Sequence, residues 1–106
     1  MDILSLDLED VLVISPKRIE DNRGWFMEAF RIGPLEEVIE RKLNFCQENQ
    51  TMSKYGVLRG LHYQLPPYAQ SKLVTVLSGK VLDVIVDVRE GSPTFGVHTS
   101  IILSDE

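Results

Sequence analysis

Residues 81–89 read Val-Leu-Asp-Val-Ile-Val-Asp-Val-Arg, and this alternation decides the fold class. Because successive side chains of a β-strand point to opposite faces, the even-numbered residues form one apolar face. Asp83 and Asp87 stand with apolar residues on the other face. A mixed face of this kind suits the interior of a barrel with a polar site at least as well as a plain solvated face.

Further strands are predicted on both sides of this segment. Ser78-Gly79-Lys80 predicts a hairpin that joins strands at 72–77 and 81–88. The other strands are predicted at 11–14, a run rich in β-branched residues, and at 25–30, 43–49, 57–64 and 97–103. About seven strands with turn signals between them are typical of an all-β sandwich or barrel.

One turn and one helix interrupt the strands. Asp21-Asn22-Arg23-Gly24 predicts a turn, because Asp and Asn cap turns and glycine adopts positive φ. Residues 34–42 predict a short surface helix, in which Pro34 suits the first turn. Leu35, Val38 and Ile39 form its apolar stripe.

Length and charge exclude several classes of protein. The chain has 106 residues, with 11 basic and 16 acidic side chains and a net charge of −5. A chain this acidic is not expected to bind nucleic acid or an anionic membrane through a general basic surface. No apolar run reaches the roughly 18 residues of a membrane span, and the acidic start lacks the basic region of a signal peptide. Cys46 is the single cysteine, so we expect one soluble, cytoplasmic domain over 1–106 without a disulfide.

Two histidines are candidates for chemistry. His62 lies in the predicted strand at 57–64 and His98 near the start of the predicted strand at 97–103. A lone histidine in a strand is more often a packing or surface residue than a catalyst. For His62 both interpretations stay open, whereas the few ionisable side chains near His98 favour a packing or surface role there. A metal site in a β-barrel needs two or three histidines with a carboxylate, and Gln64 stands where a second one would follow His62. No metal site is therefore predicted.

Three cationic side chains support a functional role for His62. Arg23, Arg59 and Lys72 lie beside apolar residues near turns or strand starts, where a partly desolvated cation suits an anionic ligand. The alternative is that their aliphatic stems simply cover apolar surface. In a regular strand Arg59 and His62 fall on opposite faces, so a shared pocket requires a bulge or kink at Gly60.

An aromatic residue and several polar side chains suggest a second kind of contact. Phe26 and Glu28 share one face of their predicted strand, and Gln47 and Asn49 share one face of theirs. Together they could stack on and hydrogen-bond to a nucleobase. The local pattern favours the alternative, ordinary cross-strand pairs on an exposed face.

Six segments occur in an order and spacing that resemble a known family. They lie at 21–28, 45–50, 57–64, 71–74, 83–89 and 92–96. Leu-Arg-Gly-Leu-His at 58–62 and Ser-Pro-Thr-Phe-Gly at 92–96 make the combination specific, whereas each motif alone would be weak. From about residue 10 to its end the chain resembles the N-terminal part of dTDP-4-dehydrorhamnose 3,5-epimerases, a family of the cupin jelly-roll class.

The resemblance implies a role for each matching residue. His62 would be the general base, and Lys72 would lie beside the C4 oxygen of a 4-keto sugar. Arg23 and Arg59 would hold the diphosphate. The nucleotide and sugar contacts would come from Phe26, Glu28, Gln47, Glu48 and Asn49, and Asp83 would lie near the cations.

The resemblance also implies an activity and an assembly. The expected reaction is epimerisation at C3 and C5 of a dTDP-4-keto-6-deoxy sugar in dTDP-rhamnose synthesis, without metal or redox cofactor, by a cytoplasmic homodimer. The expected fold is an all-β, cupin-like jelly roll with one short helix near 34–42, incomplete at its C-terminal end.

Part of the family's site has no counterpart in these residues. The tyrosine acid, the aspartate that orients the base and a second histidine would lie beyond Glu106, and Tyr55, Tyr63 and Tyr68 do not match the tyrosine's motif. The alternative function is therefore a non-catalytic nucleotide-sugar-binding or assembly module. An epimerase acting at one carbon and a 3,4-ketoisomerase would share this half.

Overall fold

A computed structural model of the chain describes residues 2–106, which form six β-strands and one α-helix. In chain order they are β1 (Asp2–Ser5), β2 (Leu12–Ser15), β3 (Arg18–Asp21), β4 (Gly24–Met27), α1 (Ile32–Ile39), β5 (Lys80–Val86) and β6 (His98–Ser104). Each strand pairs antiparallel with its neighbour in sequence, which gives three two-stranded sheets. The predicted predominance of β-structure is confirmed, and the described strands do not close into a barrel.

The longest ladder joins β5 and β6. Its register runs from Lys80 opposite Ser104 to Val86 opposite His98. The mixed face of β5 is its more buried one, because Asp83 is half-buried while Leu82 is exposed. This result favours the polar-interior interpretation of the alternation at 81–89.

A hairpin joins β3 and β4 at the predicted turn. Asp21 pairs with Gly24 across a two-residue loop, and Gly24 has a φ of +135°, a value that glycine adopts readily. The predicted strand at 25–30 ends early, at Met27, which pairs with Arg18. Arg18 is the first residue of β3, so the ladder offers no partner to β4 beyond Met27.

Helix α1 covers 32–39 and not the predicted 34–42. It ends at Glu40, whose left-handed backbone (φ 59°, ψ 36°) cannot continue a right-handed helix. Leu35 of the helix and Leu8 of the β1–β2 loop are the buried apolar side chains of the described chain, 4% and 2% exposed. None of the helical structure in residues 2–106 has the length and apolar character that crossing a membrane requires.

Three predicted strands, at 43–49, 57–64 and 72–77, are wrong: within the described chain these residues form no ladder. The predicted hairpin at Ser78-Gly79-Lys80 is wrong as well, since β5 pairs with β6. The N–H of Gly79 donates to Asp105 Oδ2 (3.0 Å), and the N–H of Asp105 donates to the Gly79 carbonyl (3.1 Å). A segment in which apolar and polar side chains alternate can form a strand, but it does so only when a neighbouring segment hydrogen-bonds to it.

The chain divides into two compact units. The first comprises residues 2–41 and 75–106 and contains every strand and the helix, and the second comprises residues 42–74. Within the second unit all residues are exposed except Leu43 and Leu73, which are half-buried. The expectation of one domain over 1–106 stays a prediction.

Candidate functional site

The predicted site residues fall in both units. The first unit carries Arg23, Phe26, Glu28 and Asp83. The second carries Gln47, Glu48, Asn49, Arg59, His62 and Lys72. All of them are exposed except Asp83, which is half-buried.

Arg23 lies at the tip of the β3–β4 hairpin and is held by Asp21. Its backbone N–H donates to Asp21 Oδ1 (2.8 Å), and its Nε and Nη2 donate to Oδ2 (3.2 and 2.6 Å). Hydrogen bonds from the Arg23 side chain, and then from its backbone, hold the pKa of Asp21 below its usual value, and the same pair raises the pKa of Arg23. Asp21 therefore holds the backbone N–H and the guanidinium of Arg23, while the side chain of Arg23 stays 86% exposed.

Glu28 follows β4 and is paired with Arg31. Arg31 Nη2 donates to Glu28 Oε2 (2.8 Å), and this hydrogen bond raises the pKa of Arg31. Phe26, two residues earlier in β4, is exposed. An aromatic ring and a carboxylate are thus open to solvent on the same hairpin.

In the second unit, side chains two residues apart pair with each other. Gln47 Nε2 donates to Asn49 Oδ1 (3.2 Å), and Gln50 Nε2 donates to Glu48 Oε1 (3.4 Å). The two amides therefore contact each other, but the prediction that they share a strand face is wrong, because 43–49 is not a strand.

Arg59 and His62 flank a break in the extended chain. Gly60 has a φ of +110°, which departs from regular strand geometry and provides the kink that a shared pocket would require. Arg59 Nε donates to Ser53 Oγ (2.8 Å), so this guanidinium also has a local partner. The His62 imidazole and the Lys72 ammonium are on exposed residues, where a ligand has access to them.

A buried carboxylate lies just after β5: it is Asp87, which belongs to the mixed face of 81–89 but was not among the predicted site residues. Asp87 accepts hydrogen bonds from the Arg89 backbone and side chain (3.0 Å each to Oδ1) and from the hydroxyls of Ser92 (2.6 Å) and Thr94 (2.5 Å). The Arg89 side chain, Ser92, Thr94 and the Arg89 backbone, in that order, hold the pKa of Asp87 far below its usual value. These hydrogen bonds occupy both oxygens of the carboxylate. Asp87 therefore stabilises the turn at 87–96 and has little remaining hydrogen-bonding capacity for a ligand.

Asp21 and Asp87 share a local signal that the sequence offers at both places. Each begins an Asp-x-Arg triplet whose arginine backbone N–H and Nε both donate to the aspartate. Arg89 is additionally 3.8 Å from Asp10, whereas the outer edge of Arg23 faces solvent. An Asp-x-Arg triplet in the sequence therefore indicates an aspartate that hydrogen-bonds to the arginine two residues later.

No three His, Cys, Asp or Glu side chains lie together as a metal-binding group anywhere in residues 2–106. Asp83, the residue predicted near the cations, lies opposite Ile101 in the β5–β6 ladder. The described side chains offer an imidazole for proton transfer and ammonium and guanidinium groups for charge stabilisation.

Comparison with known proteins gives one consistent result. The family model for dTDP-4-dehydrorhamnose 3,5-epimerase matches residues 5–106. The chain is 50% identical to the dTDP-4-dehydrorhamnose 3,5-epimerase of Shigella flexneri and 45% identical to that of Salmonella typhimurium. Both matches cover 100% of this chain, but 59% and 58% of the relatives, so the chain spans little more than half their length.

Solved structures show the same fold. A dTDP-4-dehydrorhamnose 3,5-epimerase from Elizabethkingia anophelis superposes with a TM-score of 0.93 at 44% identity, over 99% of this chain and 57% of that one. An epimerase from Legionella pneumophila, solved in complex with dTDP-4-keto-L-rhamnose, gives a TM-score of 0.89 at 45% identity, over 98% and 55%. The backbone of the whole described chain thus follows the corresponding part of these enzymes.

Proposed function

The chain belongs to the dTDP-4-dehydrorhamnose 3,5-epimerase family, and on that premise we propose that it takes part in epimerising C3 and C5 of a dTDP-4-keto-6-deoxy sugar. It would act as an isomerase in dTDP-rhamnose synthesis for cell-surface polysaccharide. The observation that carries the proposal is the match over residues 5–106, which includes each predicted site residue.

His62 would act as the general base. The protons on C3 and C5 are α to the C4 carbonyl, so transferring one to a neutral imidazole nitrogen leaves an enolate whose charge rests on the C4 oxygen. Histidine is the side chain most often used for such a transfer near neutral pH, and a positioned base contributes about 10²–10⁴-fold to the rate. The exposure of His62 supports this role, because substrate can reach it.

Lys72 would stabilise the enolate. An ammonium group beside the C4 oxygen meets the negative charge where it develops, and removing one comparable donor from an oxyanion hole costs about 10²–10³-fold in rate. Lys72 is exposed and so is available for this contact.

The remaining predicted residues would bind the nucleotide. Guanidinium groups match the geometry of phosphate oxygens, which supports assigning the diphosphate to Arg23 and Arg59. Asp83 would lie near these cations. The base and sugar contacts would come from Phe26, Glu28, Gln47, Glu48 and Asn49.

Isotope exchange tests the catalytic proposal. In D₂O the 106-residue chain should introduce deuterium at C3 or C5 of dTDP-4-keto-6-deoxyglucose, detected as loss of the corresponding proton signals by NMR. His62→Ala should abolish the exchange. His98→Ala is the matched control, since it removes the other histidine, which is on β6, and should exchange like the wild type.

The outcomes separate the two candidate functions. Calorimetric binding of dTDP without exchange would overturn catalysis by this chain and support the nucleotide-sugar-binding module. Absence of both binding and exchange would overturn both functions.

The proposed assembly is a cytoplasmic homodimer, as the family resemblance implies. Light scattering at micromolar concentration should give about twice the mass of one chain. A clean monomer would contradict the dimer without bearing on the role of His62.

A further inference from the structure

At the tip of the β3–β4 hairpin, the exposed side chain of Arg23 is held by the carboxylate of Asp21. Asp21 engages one edge of the Arg23 guanidinium, the edge formed by Nε and Nη2, at 3.2 and 2.6 Å. A guanidinium carries five N–H donors in a fixed plane. The edge formed by Nη1 and the second N–H of Nη2 is therefore left to point away from the carboxylate.

The backbone is fixed by the same carboxylate. The Arg23 N–H donates to Asp21 Oδ1 at 2.8 Å, an Asx turn within the two-residue loop of the hairpin. One aspartate thus restrains both the backbone N–H and the guanidinium of Arg23, whose side chain is 86% exposed. An exposed ion pair of this kind contributes little to stability, because water and salt screen it.

We infer that Asp21 is a positioning residue, which holds the Arg23 guanidinium so that its outer edge presents two parallel N–H donors to a diphosphate. This inference rests on the proposed function, in which Arg23 contacts the diphosphate. Bidentate contacts between arginine and phosphate depend on orientation, and an arginine already ordered before binding loses less freedom when the ligand arrives.

The Asp-x-Arg triplet that begins at Asp87 makes the same hydrogen bonds to its arginine, but its surroundings are different. There the carboxylate is buried and also accepts bonds from Ser92 and Thr94, and Arg89 lies near Asp10. That arginine is engaged by the protein on more than one side. In the hairpin the described residues give the carboxylate no such extra hydroxyl donors, and the outer edge of Arg23 remains accessible.

Asp21 also opposes an anion through its own charge, so the test has to separate the two effects. Asp21→Asn removes the charge and the acceptor at Oδ2 but keeps an oxygen for the Asx turn. Glu20→Gln removes the same charge from the neighbouring residue of β3, and the hydrogen bonds of Arg23 go to Asp21 and not to Glu20. The difference between the two variants measures the orientation of Arg23.

The experiment is a calorimetric titration of the full 106-residue chain with inorganic pyrophosphate and with dTDP. Asp21→Asn should bind both about two- to tenfold more weakly than Glu20→Gln, the range expected for ordering one long side chain. Arg23→Ala gives the loss for the whole side chain. In ¹⁵N spectra the Arg23 Nε–H should exchange slowly with water in the wild type and rapidly in Asp21→Asn, with the backbone amides of β3 and β4 unchanged.

Two results would count against the inference, and they differ. If the wild type binds and Asp21→Asn matches Glu20→Gln, Asp21 does not position Arg23 and the proposed function stands. If Arg23→Ala binds pyrophosphate and dTDP as well as the wild type, Arg23 is not a diphosphate ligand, and that part of the proposed function falls together with the inference.

Discussion

Replacing Leu35 with alanine should destabilise the chain far more than the same truncation at the exposed Val38 of α1. Leu35 is 4% exposed and is the buried residue of the helix. The substitution removes three carbons, worth about 2.4 kcal/mol at ~0.8 kcal/mol each. The cavity left behind raises the expected loss to ~3–4 kcal/mol, within the ~2–5 kcal/mol found for buried leucines.

Val38→Ala is the matched control on the same helix. Val38 is 44% exposed, so losing its two methyl groups should cost about 0.9 kcal/mol by the same rate. Alanine recovers roughly 0.5 kcal/mol of this because it favours the helix over a β-branched residue. The net change in the free energy of unfolding should stay below ~0.5 kcal/mol.

Urea unfolding followed by circular dichroism measures both variants. With a slope of about 1–3 kcal/mol per molar urea for small proteins, Leu35→Ala should lower the midpoint by more than ~1 M. The midpoint of Val38→Ala should barely move. Equal losses for the two variants would refute the idea that α1 is anchored through Leu35.

Two further predictions concern single residues of the first unit. Glu40→Gly should raise the free energy of unfolding by about 0.5–1 kcal/mol in the same urea assay, because Glu40 has a φ of 59°, where glycine is unstrained; a loss would contradict this. Asp87→Asn should lower the thermal midpoint at pH 7 and flatten its dependence on pH below about 4. The folded-state pKa of Asp87 is lowered, so its stabilisation is present above the unfolded value of about 3.9 and is lost as the pH falls toward the folded value; equal acid profiles of the two proteins would refute the role of its hydrogen bonds.

Local chemistry made one turn and several strands predictable, but not which strand pairs with β5. The turn at 21–24 follows from residues that prefer turns, and the strands at 80–86 and 98–104 follow from β-branched runs whose partner lies nearby in sequence. In both cases the information needed is contained in a few adjacent residues. The family motifs supplied the rest of the candidate site.

The segment at 57–64 shows where such reasoning stops. Its composition suits a strand, but a strand is a property of two hydrogen-bonded segments, and no described residue forms a ladder with it. Its positive φ at Gly60 was foreseeable only on the assumption that Arg59 and His62 share a pocket.

The supporting residues were missed for a different reason. Asp21 holds Arg23 through several hydrogen bonds, and Ser53 and Arg31 hold Arg59 and Glu28 through one each. Candidate residues were selected for the chemistry they could perform on a ligand. A residue that acts through its neighbour has no such signature except the short spacing between the two.

The pairing of every strand with its neighbour in sequence also bears on how the chain acquires its structure. The three ladders are closed by the connections 6–11, 22–23 and 87–97, all short compared with the 40 residues of 40–79 that separate α1 from β5. Short connections cost little closure entropy, and local contacts form faster than distant ones. Each hairpin can therefore nucleate independently while the chain is still being synthesised, and the first two do not have to wait for the residues that follow α1.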